Sequence, residues 1–139
     1  MKKMKWIIPV FLAIIIAVLF FAHNNKEQEG IEVNKTEYEK ISAERAKEIM
    51  DKEKDYVILD VRTAEEYNEG HINGAVLIDH EEIKQKAQTV IPDKNKMILV
   101  YCRSGRRSKI AAAQLCELGY KNVLEFGGII DWPYEVTKN

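Results

Sequence analysis

The sequence predicts an α/β domain in which helices cover both faces of a parallel sheet. Two observations and one general rule of chain geometry support this fold class. Short apolar segments alternate with segments in which apolar residues recur at helical spacing. Capping residues precede the helical segments, and Gly or Pro follows most of them. A helix that joins two successive strands brings the chain back across the sheet in a right-handed crossover, so the two strands run parallel.

The first predicted elements run from Ser42 to Gly70. Ser42 can cap a helix whose apolar face includes Ala46, Ile49 and Met50. The uninterrupted apolar segment Tyr56–Asp60 is typical of a buried strand. Thr63 and Glu66 then form a capping-box pattern, which predicts a short helix that ends near Gly70.

The second half of the chain repeats this alternation. Strands are predicted at Gly74–Ile78, Met97–Tyr101 and Asn122–Phe126, with a Gly127–Gly128 turn after the last. A helix should begin after Asp79 and end before Pro92, and another should span Ser108–Leu118. The residue-level patterns thus predict four strands in alternation with helices.

The N-terminus has a different character from the rest of the chain. An apolar segment, Trp6–Ala22, follows Lys2, Lys3 and Lys5. It would form a helix of about 25 Å, slightly shorter than the hydrocarbon core of a bilayer. We predict an uncleaved signal anchor over residues 1–22, a polar linker over residues 23–35 and the globular domain over residues 36–139.

Two alternatives remain for this N-terminal segment. It could be a cleaved signal peptide, in which case the protein would be secreted, although Phe20 fits a cleavage pattern poorly. It could also be a buried helix of the domain, against which the lysine cluster argues. With the lysines kept in the cytoplasm, a signal anchor gives a single-pass protein of the cell membrane whose domain lies outside the cytoplasm.

Composition excludes several classes of function. Hydrophobic residues make up 46% and charged residues 31% of the chain, which suits a globular domain. The net charge of −1 gives no general attraction to nucleic acid. Cys102 and Cys116 are too few for a disulfide framework and lack metal-ligand spacing, and we predict neither a metal nor a cofactor.

The segment from Cys102 to Ser108, CRSGRRS, carries the pattern of a reactive thiol. Cys102 follows a predicted strand and precedes a predicted helix, at the edge where parallel sheets bind ligands. Gly105 permits a tight turn whose N–H groups can converge on an anion. These N–H groups and the positive charges of Arg103, Arg106 and Arg107 would lower the pKa of the Cys102 thiol. The alternative, a buried strand-end cysteine before a solvated basic loop, is less consistent with this order of elements.

Three motifs resemble those of the rhodanese family of sulfurtransferases. CRSGRRS fits the Cys-x-x-Gly-x-Arg-Ser active loop of the family. LDVRTAEEYNEGHINGAVLI, from Leu59 to Ile78, resembles its Asp-x-Arg…Gly-His-Ile-x-Gly-Ala signature. GGIIDW, from Gly127 to Trp132, resembles its Gly-Gly…Trp ending. The motifs occur in the family's order and cover most of the chain after the N-terminal segment.

The resemblance implies one rhodanese domain whose sheet usually has five strands, and a short edge strand near Lys35–Tyr38 would be the fifth. It implies that Cys102 attacks a thiosulfate-like donor, becomes a persulfide and passes the sulfur to a thiol or cyanide. The substrate-binding residues would be Arg103, Ser104, Gly105, Arg106 and Arg107. Arg107 would either steer the donor or tie down the loop. The sequence identifies no protein partner.

Four other motif residues are predicted to support the site structurally: Asp60, Arg62, Glu66 and His71. Arg62 sits near a strand end, where it can pair with Glu66 or another carboxylate, and paired charges at such places fix loops. His71 could be a general base, but a preformed thiolate needs none, so packing is the simpler role. Trp132 is predicted to pack against the sheet.

Two other functions remain open from the sequence. Cysteine-dependent phosphatases also place a thiolate in an anion-binding loop, but they require Cys-x5-Arg, and here the sixth position after Cys102 is Ser108. A rhodanese-like module could instead sense oxidants or bind a partner without catalysis, since an exposed thiol with a low pKa is prone to oxidation. The retained cysteine and complete loop favour sulfur transfer over both.

Overall fold

The computed structural model describes residues 15–16 and 37–138. The predicted linker and nearly all of the predicted signal anchor lie outside the described residues, so both stay predictions. No helix in the described ranges is both long and apolar enough to cross a membrane. The described residues from 37 onward belong to one compact unit, Lys35–Asn139.

The unit alternates strands and helices as the sequence predicts. The strands are β1 (Glu39–Lys40), β2 (Tyr56–Asp60), β3 (Val76–Leu77), β4 (Met97–Cys102) and β5 (Val123–Gly128). The α-helices are α1 (Ala43–Lys52), α2 (Ala64–Glu69), α3 (Ile83–Val90) and α4 (Arg106–Glu117). Two 3₁₀ turns, His80–Glu82 and Ile129–Asp131, complete the set.

The five strands form one parallel sheet in the order β1-β5-β4-β2-β3. This confirms the predicted fold class and the expectation of a fifth, short edge strand. That strand lies at Glu39–Lys40, directly after the segment Lys35–Tyr38 near which it was predicted. Ile41 donates its N–H to the carbonyl of Glu125, so pairing with β5 continues up to the residue before the Ser42 cap of α1.

Helices cover both faces of the sheet. On one face, α3 and α4 bury apolar side chains against β2, β4 and β5, and Cys102 belongs to this cluster. On the other face, α1 packs with Tyr101, Phe126 and Trp132. The three inner strands, β2, β4 and β5, are therefore covered on both sides, which explains why β2 and β4 are uninterrupted apolar segments in the sequence.

The end of β5 differs from the prediction. Gly127 and Gly128 extend the strand, and Gly128 aligns with Cys102 across a register shift in β4. A side chain at residue 128 would meet the Arg103 carbonyl oxygen at 2.0 Å, so only glycine allows the two segments to approach this closely. The irregular pairing brings the C-terminal end of β5 against the loop that follows Cys102.

Candidate active site

Cys102 is the last residue of β4 and lies at the start of the loop that leads into α4. Its side chain is almost completely buried, with 1% of the residue exposed. The Gly105 N–H donates to the sulfur at 3.0 Å, and the Ser108 hydroxyl lies 3.4 Å from it. The loop therefore wraps around the sulfur and presents hydrogen-bond donors to it.

The pKa of the Cys102 thiol lies below its ordinary value. Burial by itself would raise this pKa. The Ser108 hydroxyl and the backbone N–H groups of Ser108, Gly105 and Ser104 favour the thiolate and together outweigh the burial. The helix α4 adds its unpaired N-terminal N–H groups, because its N-cap, Gly105, has no side chain to bond them.

Gly105 gives the loop its shape. Its φ of 102° lies in the left-handed region, which side chains disfavour. The helix begins immediately afterwards at Arg106, two residues before the predicted start at Ser108. Ser108 is consequently inside the first turn of α4, where its hydroxyl faces the sulfur and the loop carbonyl of Gly105 at 3.0 Å.

The three arginines of the loop occupy two different environments. Arg103 and Arg106 are exposed and form no ion pair with any other described residue. Arg107 forms a two-point ion pair with Glu66 of α2, with distances of 2.7 and 2.8 Å. Of the two roles predicted for Arg107, its contacts match tying down the loop, and Arg103 and Arg106 keep their charge available at the surface.

Glu66 also completes the predicted capping box of α2. Its carboxylate accepts the Thr63 N–H at 3.0 Å, and the Thr63 hydroxyl accepts the Glu66 N–H at 3.3 Å. The bond from Arg107 is the largest influence that lowers the pKa of Glu66 from 4.5 to about 2. Glu66 thus fixes the start of α2 and the start of α4 together.

Asp60 and Arg62 form a buried ion pair at the end of β2. Arg62 Nη2 lies 2.8 Å from Asp60 and also donates to the Gly70 carbonyl at 2.7 Å. The Tyr101 hydroxyl donates to Asp60 at 2.6 Å and accepts the Ile72 N–H at 3.1 Å. The partner of Arg62 is therefore Asp60, and the group fixes the chain that follows α2.

The contacts described for His71 are with Tyr67 and Thr137, and none of them involves the Cys102 sulfur. Its ring stacks on Tyr67 at 3.7 Å, its Nδ1 meets the Tyr67 carbonyl at 2.9 Å, and its backbone pairs with Thr137. Trp132 packs against Phe126 and Tyr134. Both residues thus contact aromatic rings, and the packing roles given to them from the sequence stay predictions.

Sequence reasoning missed one buried acidic residue beside the loop, Glu125 of β5. Glu125 is fully buried, and its Oε1 lies 2.6 Å from the Ser108 hydroxyl oxygen and 2.8 Å from the Gly127 nitrogen. The available signal was an acidic residue in the middle of an apolar strand, VLEF, where a charge is costly unless it is bonded.

Comparison with known proteins identifies a family for this chain. The family model described as the rhodanese-like domain matches residues 42–133. The chain is 42% identical over 73 residues to the thiosulfate sulfurtransferase PspE of Escherichia coli, covering 52% of this chain and 70% of that protein. It is 37% identical over 99 residues to the putative sulfurtransferase YtwF of Bacillus subtilis, covering 71% and 94% of the two chains. The solved structure of an E. coli rhodanese with anions is 38% identical, with a TM-score of 0.57 over 60% of this chain and 99% of that one.

Proposed function

This chain belongs to the family of rhodanese-like domains, and from that membership we propose that it is a sulfurtransferase that carries sulfur on Cys102. Its relatives include proteins named as thiosulfate sulfurtransferases. The observation that carries the proposal is the set of donors around the sulfur. A buried thiol that receives N–H and O–H groups is prepared to become a nucleophilic thiolate.

The proposed reaction has two steps. The Cys102 thiolate attacks the outer sulfur of an anionic donor such as thiosulfate, a sulfur–sulfur bond forms, and sulfite leaves with the electron pair of the broken bond. The resulting persulfide is then attacked by a thiol or cyanide, which takes the outer sulfur and restores the thiolate. N–H groups of the loop from Arg103 to Arg107 would stabilise the negative persulfide.

Arg103 and Arg106 are proposed to attract the donor. Their charges are exposed beside the loop and are not neutralised by another described side chain. The similar E. coli rhodanese was solved with anions, which supports anion binding in this family. Because exposed charges act over several ångströms, their contribution should weaken at high salt.

The test is a thiosulfate:cyanide assay with the full-length chain, combined with peptide mass analysis. We expect thiocyanate formation with ping-pong kinetics and the mass gain of one sulfur atom on the peptide that contains Cys102. Cys102→Ala should abolish both signals, whereas Cys116→Ala, the matched control at the other cysteine, should retain them. The absence of turnover and of the sulfur adduct would contradict the proposal and leave oxidant sensing or partner binding as the function.

The same protein should fail as a phosphatase. The Cys-x5-Arg loop of such enzymes surrounds a phosphate with a free arginine, whereas Arg107 follows Cys102 by five positions and is bonded to Glu66. We expect no hydrolysis of an aryl phosphate. A robust rate that disappears in Cys102→Ala would favour the phosphatase alternative.

We also propose, from the sequence, that residues 1–22 anchor the domain in the cell membrane with the domain outside the cytoplasm. The three lysines before the apolar segment support this orientation. A membrane-impermeant protease added to intact cells should then remove the domain. Complete protection of the domain until the cells are lysed would contradict this placement.

A further inference from the structure

Glu125 occupies an unusual environment for an acidic side chain. The residue is fully buried in the middle of β5, beneath the loop that holds Cys102. Both of its hydrogen bonds reach the same oxygen, Oε1, and come from the Ser108 hydroxyl and the Gly127 N–H. The other oxygen, Oε2, has no hydrogen-bond partner among the described residues. A buried carboxylate with so few donors and no cation is costly.

Ser108 connects this carboxylate to the nucleophile. Its hydroxyl oxygen lies 3.4 Å from the Cys102 sulfur and 2.6 Å from Glu125 Oε1. It also lies 3.0 Å from the Gly105 carbonyl and 3.3 Å from the Gly127 carbonyl. A hydroxyl has a single proton to donate, so it cannot serve the thiolate and Glu125 at the same time. The short distance to Glu125 is typical of a charge-assisted bond.

Because Ser108 has one hydroxyl proton, the hydrogen bonds that join Cys102, Ser108 and Glu125 have two possible arrangements. While Cys102 is a thiol, its S–H can donate to Ser108, and Ser108 donates to the Glu125 carboxylate. When Cys102 is a thiolate, Ser108 should donate to the sulfur, and its oxygen then needs a proton from Glu125. The two states differ by the movement of two protons along existing hydrogen bonds.

The surroundings favour a negative charge on Cys102 over one on Glu125. The sulfur faces the N–H groups of Ser104, Gly105 and Ser108 at the N-terminus of α4. Glu125 receives one N–H and one O–H and leaves an oxygen unbonded. The protein therefore stabilises a negative charge better on the Cys102 sulfur than on the Glu125 carboxylate.

We propose that Glu125 is a positioning residue that accepts the proton of the Cys102 thiol by way of Ser108. The S–H bond of Cys102 breaks as an O–H bond forms on Ser108, and the original Ser108 proton passes to Glu125 Oε1. The pair of Cys102 and Glu125 keeps one negative charge throughout, and no proton needs to reach solvent. This proposal rests on the proposed use of Cys102 as a thiolate nucleophile.

The other charged groups near Cys102, Ser108 and Glu125 are either bonded to another residue or exposed. From α4, Arg107 interacts with Cys102 and is bonded to Glu66 of α2. From β1, Lys40 is aligned with Glu125, but its side chain is exposed and forms no ion pair with Glu125 in the described part of the chain. The aligned residue of β4 is the apolar Val100. Arg103 and Arg106 lie at the exposed surface of the loop.

The test measures the pH dependence of Cys102 alkylation by iodoacetamide, resolved by peptide mass, in the full-length chain. Glu125→Gln keeps an oxygen that can accept both existing bonds but cannot take up a proton. We expect the pH at which Cys102 reaches half of its maximal alkylation rate to rise by about one to two units in this variant. A shift of that size corresponds to the free energy of one hydrogen bond to a charged group. Ser108→Ala should shift in the same direction, and the double variant should shift no further than Ser108→Ala alone. Glu117→Gln, at an exposed acid of the same helix α4, is the matched control and should leave the profile unchanged.

The sign of the Glu125→Gln shift decides the proposal. A downward shift would mean that Glu125 keeps its charge beside the sulfur and opposes the thiolate, and an unchanged profile would mean that Glu125 only shapes the loop. Either result overturns the proposal. Neither alkylation result depends on sulfur transfer, so a failure here is distinguishable from a failure of the proposed function.

Infrared spectroscopy provides a second measurement that needs no change at Glu125 itself. At a pH where Cys102 is a thiolate, the parent protein should show the carbonyl band of a buried neutral carboxylic acid. Cys102→Ser should lose this band, because a serine at that position does not release a proton to Ser108. Absence of the band in the parent protein, or its persistence in Cys102→Ser, would overturn the proposal.

Discussion

The ion pair between Glu66 and Arg107 should make a measurable contribution to stability. It joins α2 to α4 through two bonds of 2.7 and 2.8 Å, and the two side chains are 24% and 17% exposed. The pKa of Glu66 falls from 4.5 to about 2. If fully transmitted, that shift equals about 3 kcal/mol at neutral pH. Partial exposure screens the pair, so we expect a coupling of about 1–2 kcal/mol.

The pH dependence follows from the direction of this shift. Because the pKa of Glu66 is lowered by folding, its contribution is fully present above about 4.5 and is lost as the pH falls toward 2. Glu66→Gln should therefore have a flatter stability profile than the parent protein in this window. Glu48 has a similarly lowered pKa, but it is present in both proteins and cancels in the difference.

The assay is urea unfolding of the parent protein, Glu66→Gln, Arg107→Met and the double variant, at pH 7 and across the acidic window. Gln retains an acceptor for the Thr63 N–H, so the cap of α2 should survive the substitution. Glu65→Gln, at an exposed neighbour in α2, is the matched control and should change the free energy of unfolding by less than about 0.5 kcal/mol. A coupling energy below about 0.3 kcal/mol, or an unchanged acid profile in Glu66→Gln, would refute the reasoning.

Three further outcomes are expected at other places in the site. Gly128→Ala should lower both stability and sulfur transfer, because its side chain would meet the Arg103 carbonyl at 2.0 Å; unfolding by urea and the thiosulfate assay measure the two losses. Arg103→Ala and Arg106→Ala should each raise KM for thiosulfate more at low than at high salt, and an effect on kcat alone would argue against steering. Tyr101→Phe should cost about 1–3 kcal/mol of unfolding free energy, because it removes the buried bond to Asp60; a loss below about 0.5 kcal/mol would contradict that bond's role.

Local patterns were sufficient to predict most of the fold. Strand β2 has the predicted bounds, because an apolar segment that ends in Asp60 marks a strand buried on both faces. The capping box at Thr63 and Glu66 is present as predicted, since it depends only on residues three positions apart. Local patterns could not predict where β1 pairs, because a two-residue strand has no periodicity and is defined by its neighbour β5.

The contacts that define the site join residues that are distant in sequence. Arg107 bonds to Glu66 from 41 residues away, and Ser108 bonds to Glu125 from 17 residues away. The order of strands in the sheet creates both contacts, and the sequence does not show which side chains meet across it. The loop itself was predictable because CRSGRRS is continuous in the chain, whereas the acids that hold it come from α2 and β5.

The three arginines of the loop differ in whether a carboxylate neutralises their charge. A cation that is bonded to a carboxylate fixes geometry but attracts little from solution, because the pair is neutral at a distance. Arg107 is such a cation, since Glu66 holds its guanidinium. Arg103 and Arg106 are exposed and form no ion pair with another described residue, so in the proposed reaction they would draw an anionic donor toward Cys102. In the proposed reaction the donor would arrive beside a thiolate of the same sign, so this attraction would have to come from charges that the scaffold has not already neutralised.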